Sequence, residues 1–164
     1  MADSVRPEIF VIATSRDLGS CRAIVAKALA TLGCVAIEQT AFPPEASTVR
    51  EMLRSKIDDC DAVIHVAGEI YGFEPQERGP DEERRSYTQL EVDIARELGK
   101  PVYVFVCGEG FPYDVHKTED EERCVLQRAH REKLQSSAHL FYLVASREQL
   151  ENLALALQLR TKEI

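Results

Sequence analysis

The sequence predicts a three-layer α/β domain around an open parallel sheet of five strands, and three observations support this prediction. Five apolar runs alternate with five helix-like segments along 164 residues, which is typical of parallel sheets with right-handed crossovers. Residues 8–14 are apolar almost throughout, as expected for a strand covered on both faces. The composition, 45% apolar and 29% charged, is ordinary for a globular protein. A single domain over residues 1–164 is therefore expected.

The first half of the chain supplies two strand–helix units. A first helix is predicted from about residue 17 to residue 32, with Gly33 ending it. Residues 34–38 form a short second strand, and residues 41–46 form a turn-rich loop. A Thr-x-x-Glu capping box then opens a second helix over residues 48–57.

A third strand is predicted at residues 62–68, followed by a long loop at residues 69–85. His65 within the strand is interpreted as a core residue, because no acid or nucleophile accompanies it. The charged run of the loop is interpreted as a solvated face, whereas residues 71–73 are typical of a ligand wall or a packing wall.

The helix after this loop carries an acidic residue on its inner face. Gly99 marks the end of this helix, ahead of a fourth strand at residues 102–107. On a wheel of about 100° per residue, Glu91 falls inside the apolar arc that contains Leu90 and Ile94. A charge in that position is unfavourable unless another group solvates or uses it.

Two interpretations of Glu91 follow from its neighbours. Residues 88–91 match a capping box in which Glu91 would bond only to the backbone amide of Thr88. Residues 86–89 match the same motif equally well and would leave Glu91 free. These residues alone do not decide between a helix cap and a functional carboxylate.

The last third of the chain continues the alternation. A loop at residues 108–114 follows the fourth strand, and a capping box at residues 118–121 is predicted to open a helix that is acidic first and basic later. A fifth strand at residues 140–144 and a final helix capped by residues 146–149 complete the pattern.

Composition and motifs exclude several classes of function. A net charge of −8 without a basic run argues against nucleic acid as a partner. No window approaches about 18 apolar residues, so no membrane span is expected. The five cysteines form no CxxC pair, and the first residues lack a signal-peptide core, so we expect a cytoplasmic protein with free thiols and no metal site. Dinucleotide-binding glycines, a P-loop, a nucleophile elbow and a zinc-protease helix are all absent from the sequence.

The predicted ligand crevice lies outside the carboxyl ends of the strands, where the strand order reverses. Three stretches gather there: residues 14–17, residues 68–72 and the start of the Glu91 helix. A carboxylate beside such a crevice suits glycosidic chemistry, because it can stabilise an oxocarbenium-like transition state or attack the anomeric carbon. Arg16 and the amides that open the first helix could hold a phosphate.

Several motifs of the chain resemble the DUF4062 family in order and spacing. They are an apolar strand running into Ser-Arg-Asp-Leu and four later blocks, the last of which reads Leu-Gly-Lys-Pro-Val. The resemblance spans about residues 8 to 107 and is carried by residues 10–18, 60–64, 68–72, 86–91 and 98–102. The first block has Ala13-Thr14-Ser15 where a double serine is commoner, which weakens a phosphate-loop role for it.

This family is similar to TIR domains and nucleoside 2-deoxyribosyltransferases. The resemblance therefore implies a flavodoxin-like, TIR-like sheet with strand order about 2-1-3-4-5. In the relatives that cleave NAD the catalytic glutamate lies on the helix after the third strand, and Glu91 matches that position. No cofactor or metal is implied, with NAD or a related nucleotide as the substrate. The candidate substrate-binding residues are Thr14, Ser15, Arg16, Asp17, Gly68, Tyr71, Gly72, Ser86 and Tyr87.

The resemblance also implies a context. Members of the family usually form the N-terminal part of larger signalling and defence proteins that continue into NACHT-type or other STAND modules. Residues 1–164 are thus expected to precede such a module and to self-associate on activation. Three functions stay open: an N-glycosidase that hydrolyses NAD or a related nucleotide, a non-catalytic self-association domain, and a nucleoside 2-deoxyribosyltransferase or nucleotide N-glycosidase.

Overall fold

A computed structural model describes residues 5–38, 46–75 and 78–159 of the chain. Five strands and five helices alternate over these ranges, and the strands form one parallel sheet in the order β2-β1-β3-β4-β5. That order defines a doubly wound, flavodoxin-like sheet, so the predicted fold class is confirmed. The elements are β1 Glu8–Ile12, α1 Ser15–Thr31, β2 Val35–Ile37, α2 Ala46–Asp59, β3 Ala62–Ala67, α3 Tyr87–Glu97, β4 Val102–Cys107, α4 Glu121–Ser136, β5 Phe141–Val144 and α5 Arg147–Leu155.

The two faces of the sheet are covered by different helices. On one face, alternate residues such as Ile9, Ile64 and Phe105 pack with the apolar stripes of α1 and α5. On the other face, residues such as Phe10 and Val63 pack with α2 and α3. The period-two alternation of a strand produces these two cores, and the continuous apolar runs of the strands follow from burial on both sides.

The helix starts decide the two interpretations of Glu91. Ser86 is the N-cap of α3: its hydroxyl accepts from the Gln89 amide at 3.3 Å, and the Gln89 side chain accepts from the Ser86 amide at 3.2 Å. This reciprocal capping box satisfies the first turn without Glu91. The capping box predicted at residues 88–91 is therefore wrong, and the alternative at residues 86–89 is confirmed.

The starts of α4 and α1 differ from the sequence prediction by two residues, whereas the start of α5 agrees with it. The helix α4 begins after Asp120, whose carboxylate accepts from the Arg123 amide at 2.9 Å, so the box predicted at residues 118–121 is wrong. The helix α1 begins at Ser15, two residues earlier than predicted, and α5 begins after its predicted cap Ser146. The loop was predicted at residues 41–46; the structure does not describe residues 41–45 or the side chain of Thr48, and Ala46 already belongs to α2.

His65 is buried in β3 and contacts a second histidine across the sheet face. Its Nδ1 lies 3.0 Å from the carbonyl oxygen of Ile12, and its Nε2 lies 3.1 Å from Nε2 of His130 on α4. Because a carbonyl only accepts, His65 donates through Nδ1, and His130 donates to Nε2 of His65. The prediction of a core histidine is confirmed.

The cysteines are unpaired, and no described helix is a candidate membrane span. All five cysteines are free thiols, and four of them are buried. Across residues 5–38, 46–75 and 78–159, no helix is both long and apolar enough to cross a lipid bilayer.

Candidate functional site

A cavity of about 240 Å³ opens between the carboxyl ends of β1 and β3 and the first turn of α3. The chain passes from β1 outward to β2 and then back across β1 to β3, so this place is the switch point of the sheet, where such folds bind ligands. The structure brings seven predicted site residues together as lining of this crevice: Thr14, Ser15, Arg16, Tyr71, Gly72, Tyr87 and Glu91.

Three predicted site residues lie behind the crevice wall. Ser86 caps α3. The carboxylate of Asp17 is buried and accepts from the backbone amides of Glu69 at 3.0 Å and Ile70 at 3.1 Å, and from the Thr14 hydroxyl. Burial is the main cause that raises the pKa of Asp17. Asp17 thereby ties the turn after β1 to the turn after β3.

Gly68 allows this tie to form. A Cβ added at Gly68 would collide with the Asp17 carboxylate and would lie 2.9 Å from Cδ1 of Leu18. Glycine is therefore required at this position by close approach of a side chain, and not by ligand contact.

Glu91 is the acidic residue in the lining of the crevice, and its side chain is nearly enclosed. It is 5% exposed and belongs to the inner face of α3. Burial raises the pKa of Glu91 to about 8, and the positive charge of Arg22 acts in the opposite direction. A carboxyl group with this pKa can exchange a proton near neutral pH, which is a property of catalytic acids and bases.

Arg22 faces Glu91 across the crevice and was missed from the sequence. It is 8% exposed; its Nε donates to Glu38 at 3.0 Å and its Nη1 donates to the carbonyl of Ala13. Its Nη2 is buried and has no partner among the described residues. One signal could have found it: Arg22 lies between Leu18 and Val25 on the apolar stripe of α1, as Glu91 does on α3.

An aromatic ring and a cation form the mouth of the crevice. Phe73 is 77% exposed, and the guanidinium of Arg16 lies 5.7 Å from the centre of its ring. This distance is within the range of a cation–π contact. The backbone amide of Tyr87 donates to the carbonyl of Phe73 at 2.9 Å, which holds the mouth against the start of α3.

The crevice suits cleavage of a glycosidic bond whose leaving group needs no protonation better than cleavage of a glycosidic bond to oxygen. Glycosidases that cleave bonds to oxygen usually employ two carboxyl groups, and the described lining of this crevice holds the single carboxyl group of Glu91. One carboxylate is enough to stabilise an oxocarbenium-like centre when the leaving group departs without protonation.

Comparison with protein-family models places the chain in a family. The family model described as "Domain of unknown function (DUF4062)" matches residues 8–158. No curated protein matches the chain at a significant level.

Three solved structures are similar to the chain. A CMP N-glycosidase of Clostridium botulinum has 13% identity and a TM-score of 0.47, over 89% of this chain and 97% of that chain. A flavodoxin of Streptococcus pneumonia TIGR4 has 16% identity and a TM-score of 0.40, over 93% and 98%. A short-chain flavodoxin associated with a bacterial microcompartment has 13% identity and a TM-score of 0.36, over 92% and 94%. Likeness at this level does not bear on the chemistry of the crevice.

Proposed function

Because the chain belongs to the DUF4062 family, whose description records no activity, we propose its function from the crevice. We propose that it is a TIR-like N-glycosidase that hydrolyses the bond between ribose and base in NAD or a related nucleotide. Glu91 is the catalytic carboxylate. The observation that carries the proposal is the position of Glu91: it is buried in the crevice wall, and the cap of its own helix is made by Ser86 and Gln89.

The reaction needs one negative charge next to the ribose. The bond between C1′ and the base nitrogen breaks, its electron pair leaves with the base, and positive charge develops on C1′ and the ring oxygen. The Glu91 carboxylate stabilises this charge. A water molecule then adds to C1′ and releases a proton, so the products are the free base and the ribosyl hydroxyl compound.

The charges around Glu91 favour a cationic leaving base. Burial alone keeps Glu91 protonated near neutral pH. A positively charged glycosidic nitrogen, such as that of nicotinamide in NAD, would lower the pKa of Glu91 and would generate the carboxylate where it is needed. Arg22 acts in the same direction from the other side of the crevice.

The proposal is tested by base release from a panel of nucleotides, with NAD first. Purified protein is assayed at high concentration and in artificially clustered form, and products are separated by chromatography. We expect Glu91→Gln to lower turnover by at least about 100-fold, because it removes the charge while keeping the shape. Glu97→Gln is the matched control, since Glu97 lies on the exposed face of the same helix, where it pairs with Arg54.

Two outcomes would overturn the assignment. Turnover that survives Glu91→Gln excludes Glu91 as the catalytic carboxylate. No base release from any nucleotide in any assembled state excludes the hydrolase itself.

The open edge of the sheet favours a second candidate function, self-association of this domain within a longer signalling protein. On and next to β5, the side chains of Leu140 and Leu143 are 84% and 55% exposed. Edge strands with exposed apolar residues are prone to pair with another chain. A second copy of this chain is the proposed occupant.

Light scattering against protein concentration tests this second candidate. The wild type is expected to form dimers or larger species, and Leu140→Glu with Leu143→Glu is expected to stay monomeric. Leu32→Glu is the control, since Leu32 is an exposed leucine at the end of α1. A wild-type protein that stays monomeric at every concentration would exclude this second function.

A further inference from the structure

The carboxylate of Glu119 accepts hydrogen bonds at the crevice mouth from two separate segments, the turn after β3 and the start of α1. Its Oε1 accepts from the amide of Tyr71 at 2.6 Å, and its Oε2 accepts from the amide of Gly72 at 3.1 Å and lies 3.4 Å from Nη2 of Arg16. The side chain of Glu119 is 3% exposed. Glu119 is therefore held as a bound anion is held.

These donors match the chemistry of a phosphate site. Two successive backbone amides that converge in a turn form a concave anion site, and an arginine adds a planar, permanently charged donor. Gly72 has a φ of +87°, which turns the backbone after Tyr71 so that both amides face one point. A Cβ at Gly72 would also approach Cγ2 of Thr14 at 3.2 Å.

The helix α4, which follows Glu119, does not need the Glu119 side chain as a cap. The N-cap of α4 is Asp120, which binds the amide and the guanidinium of Arg123. Glu119 belongs to the segment before α4, and its side chain contacts the turn after β3 instead of its own helix. Its carboxylate can leave the donors by side-chain rotation without unwinding α4.

The donor set is continuous with the crevice. Arg16, Gly72 and Phe73 line both the cavity of about 240 Å³ that contains Glu91 and a second cavity of about 210 Å³ that contains Glu119. Small-molecule sites usually measure about 300–1,000 Å³. Each cavity alone is smaller than this range, whereas the two together fall within it.

We infer that the amides of Tyr71 and Gly72, with the guanidinium of Arg16, form the phosphate subsite of the crevice, and that Glu119 occupies it until a phosphoryl group displaces it. The inference rests on the proposed function for the part of the ligand that lies beside Glu91. A phosphate subsite implies that the ligand is a nucleotide and not a nucleoside. Because the occupied form must open first, the apparent affinity is lowered by the fraction of molecules in which Glu119 has left.

The experiment measures binding in the Glu91→Gln protein, so that it does not depend on turnover. Inorganic phosphate, AMP and adenosine are titrated by calorimetry into this protein and into the same protein carrying Glu119→Ala or Glu119→Gln. Glu121→Ala is the matched control, since Glu121 is an exposed acid in the first turn of α4. Arg16→Ala is added to the Glu119→Ala protein as a further variant.

We expect Glu119→Ala to tighten binding of phosphate and of AMP by at least about tenfold, with adenosine unchanged, because an internal competitor of like charge has been removed. Arg16→Ala should cancel the gain. An unchanged affinity for phosphate in folded Glu119→Ala overturns the inference, as does an equal gain in Glu121→Ala.

Thermal unfolding covers the case in which Glu119→Ala is unstable. An anion that binds only the folded state stabilises it by RT ln(1 + c/Kd), where c is the anion concentration, so tighter binding gives a larger rise at the same concentration. We expect phosphate to raise the melting temperature of the Glu119 variants more than that of the control. If neither variant folds at any phosphate concentration, Glu119 is structural and the inference is wrong. AMP binding that tightens as expected, together with no base release from any nucleotide by the wild type, would instead contradict the proposed hydrolysis and leave the subsite standing.

Discussion

At the scale of single residues, the crevice is defined by two opposite charges on two apolar helix stripes. Glu91 and Arg22 each lie where an apolar side chain is expected, on α3 and α1. Neither forms a salt bridge with the other: Arg22 pairs with Glu38, and burial dominates the protonation of Glu91. A buried acid kept apart from its counter-ion is poised to respond to a charged ligand.

Glu91→Gln is expected to make the protein more stable at neutral and mildly alkaline pH. Its pKa is raised to about 8 in the folded state, so between about pH 5 and pH 8 the Glu91 carboxyl group holds a proton in the folded protein that it has lost in the unfolded chain. Stability then falls as pH rises, by up to roughly 1.4 kcal/mol per pH unit. Urea unfolding between about pH 7 and pH 8, above the range in which the buried histidines act, measures this slope, which should be lost in Glu91→Gln and persist in Glu97→Gln. Equal slopes in all three proteins would contradict the burial of an ionisable Glu91.

The position of Glu91 on an inner helix face could be predicted from the sequence, whereas Arg22 gave only a weak signal, its place on the apolar stripe of α1. The wheel of α3 placed a carboxylate among apolar residues, and the later motifs gave it a role. Arg22 sits in a helix with several exposed charges, and its partners Ala13 and Glu38 are distant in sequence. Only the tertiary packing of β1 and β2 against α1 shows that this guanidinium faces inward.

At the scale of the elements, the turns after β1 and β3 are joined by one carboxylate. Asp17 receives hydrogen bonds from both turns, and Gly68 leaves room for it. The sequence placed both residues near the crevice, because both follow strands. It did not show that they support the wall from behind, since this depends on side-chain direction in the folded chain.

Gly68→Ala is expected to destabilise the protein by roughly 1–3 kcal/mol, the usual range for overpacking. The added methyl group would displace the Asp17 carboxylate and press on Leu18. Chemical denaturation measures the loss. Gly33→Ala tests a different mechanism, because Gly33 has a φ of +78° with open space around it, so its loss comes from backbone strain alone. A Gly68→Ala protein with wild-type stability would show that Asp17 is not fixed there.

Helix starts illustrate why the element boundaries were harder to predict than the elements. Residues 86–91 contain two overlapping capping boxes, and residues 118–121 contain a box that is not used. A capping motif requires only two residue types three positions apart. Which copy is used depends on where the preceding loop delivers the chain, and Glu119 is drawn away to the turn after β3.

At the scale of the whole molecule, a pair of neutral histidines joins α4 to the middle of the sheet. Burial lowers the pKa of His65 to about 4 and that of His130 to about 3, and Arg96 disfavours protonation of both, with Lys133 also acting on His130. The five-stranded order was predictable from the alternation of the chain, but this contact was not. It joins residues 65 positions apart.

Acid is expected to destabilise the fold through this pair. Below about pH 6.5 the unfolded chain protonates both histidines while the folded protein keeps them neutral, so stability falls as pH drops toward 4. The expected slope is up to about 1.4 kcal/mol per pH unit for each histidine. Urea midpoints between pH 4 and pH 7 test this, with His130→Gln lowering the slope and His139→Gln leaving it unchanged, because His139 is exposed. An unaltered slope in His130→Gln would exclude the pair as its source.

The link made by Asp17 also affects how quickly a ligand can enter and leave. Since one buried carboxylate fastens the exits of β1 and β3 to each other, the two walls of the crevice cannot separate without breaking the two hydrogen bonds that the amides of Glu69 and Ile70 donate to Asp17. The walls are therefore ordered before any ligand arrives, and binding loses little conformational entropy there. Exchange of ligands is left to the mouth, where the exposed side chain of Phe73 can rotate on a timescale far shorter than that of wall opening.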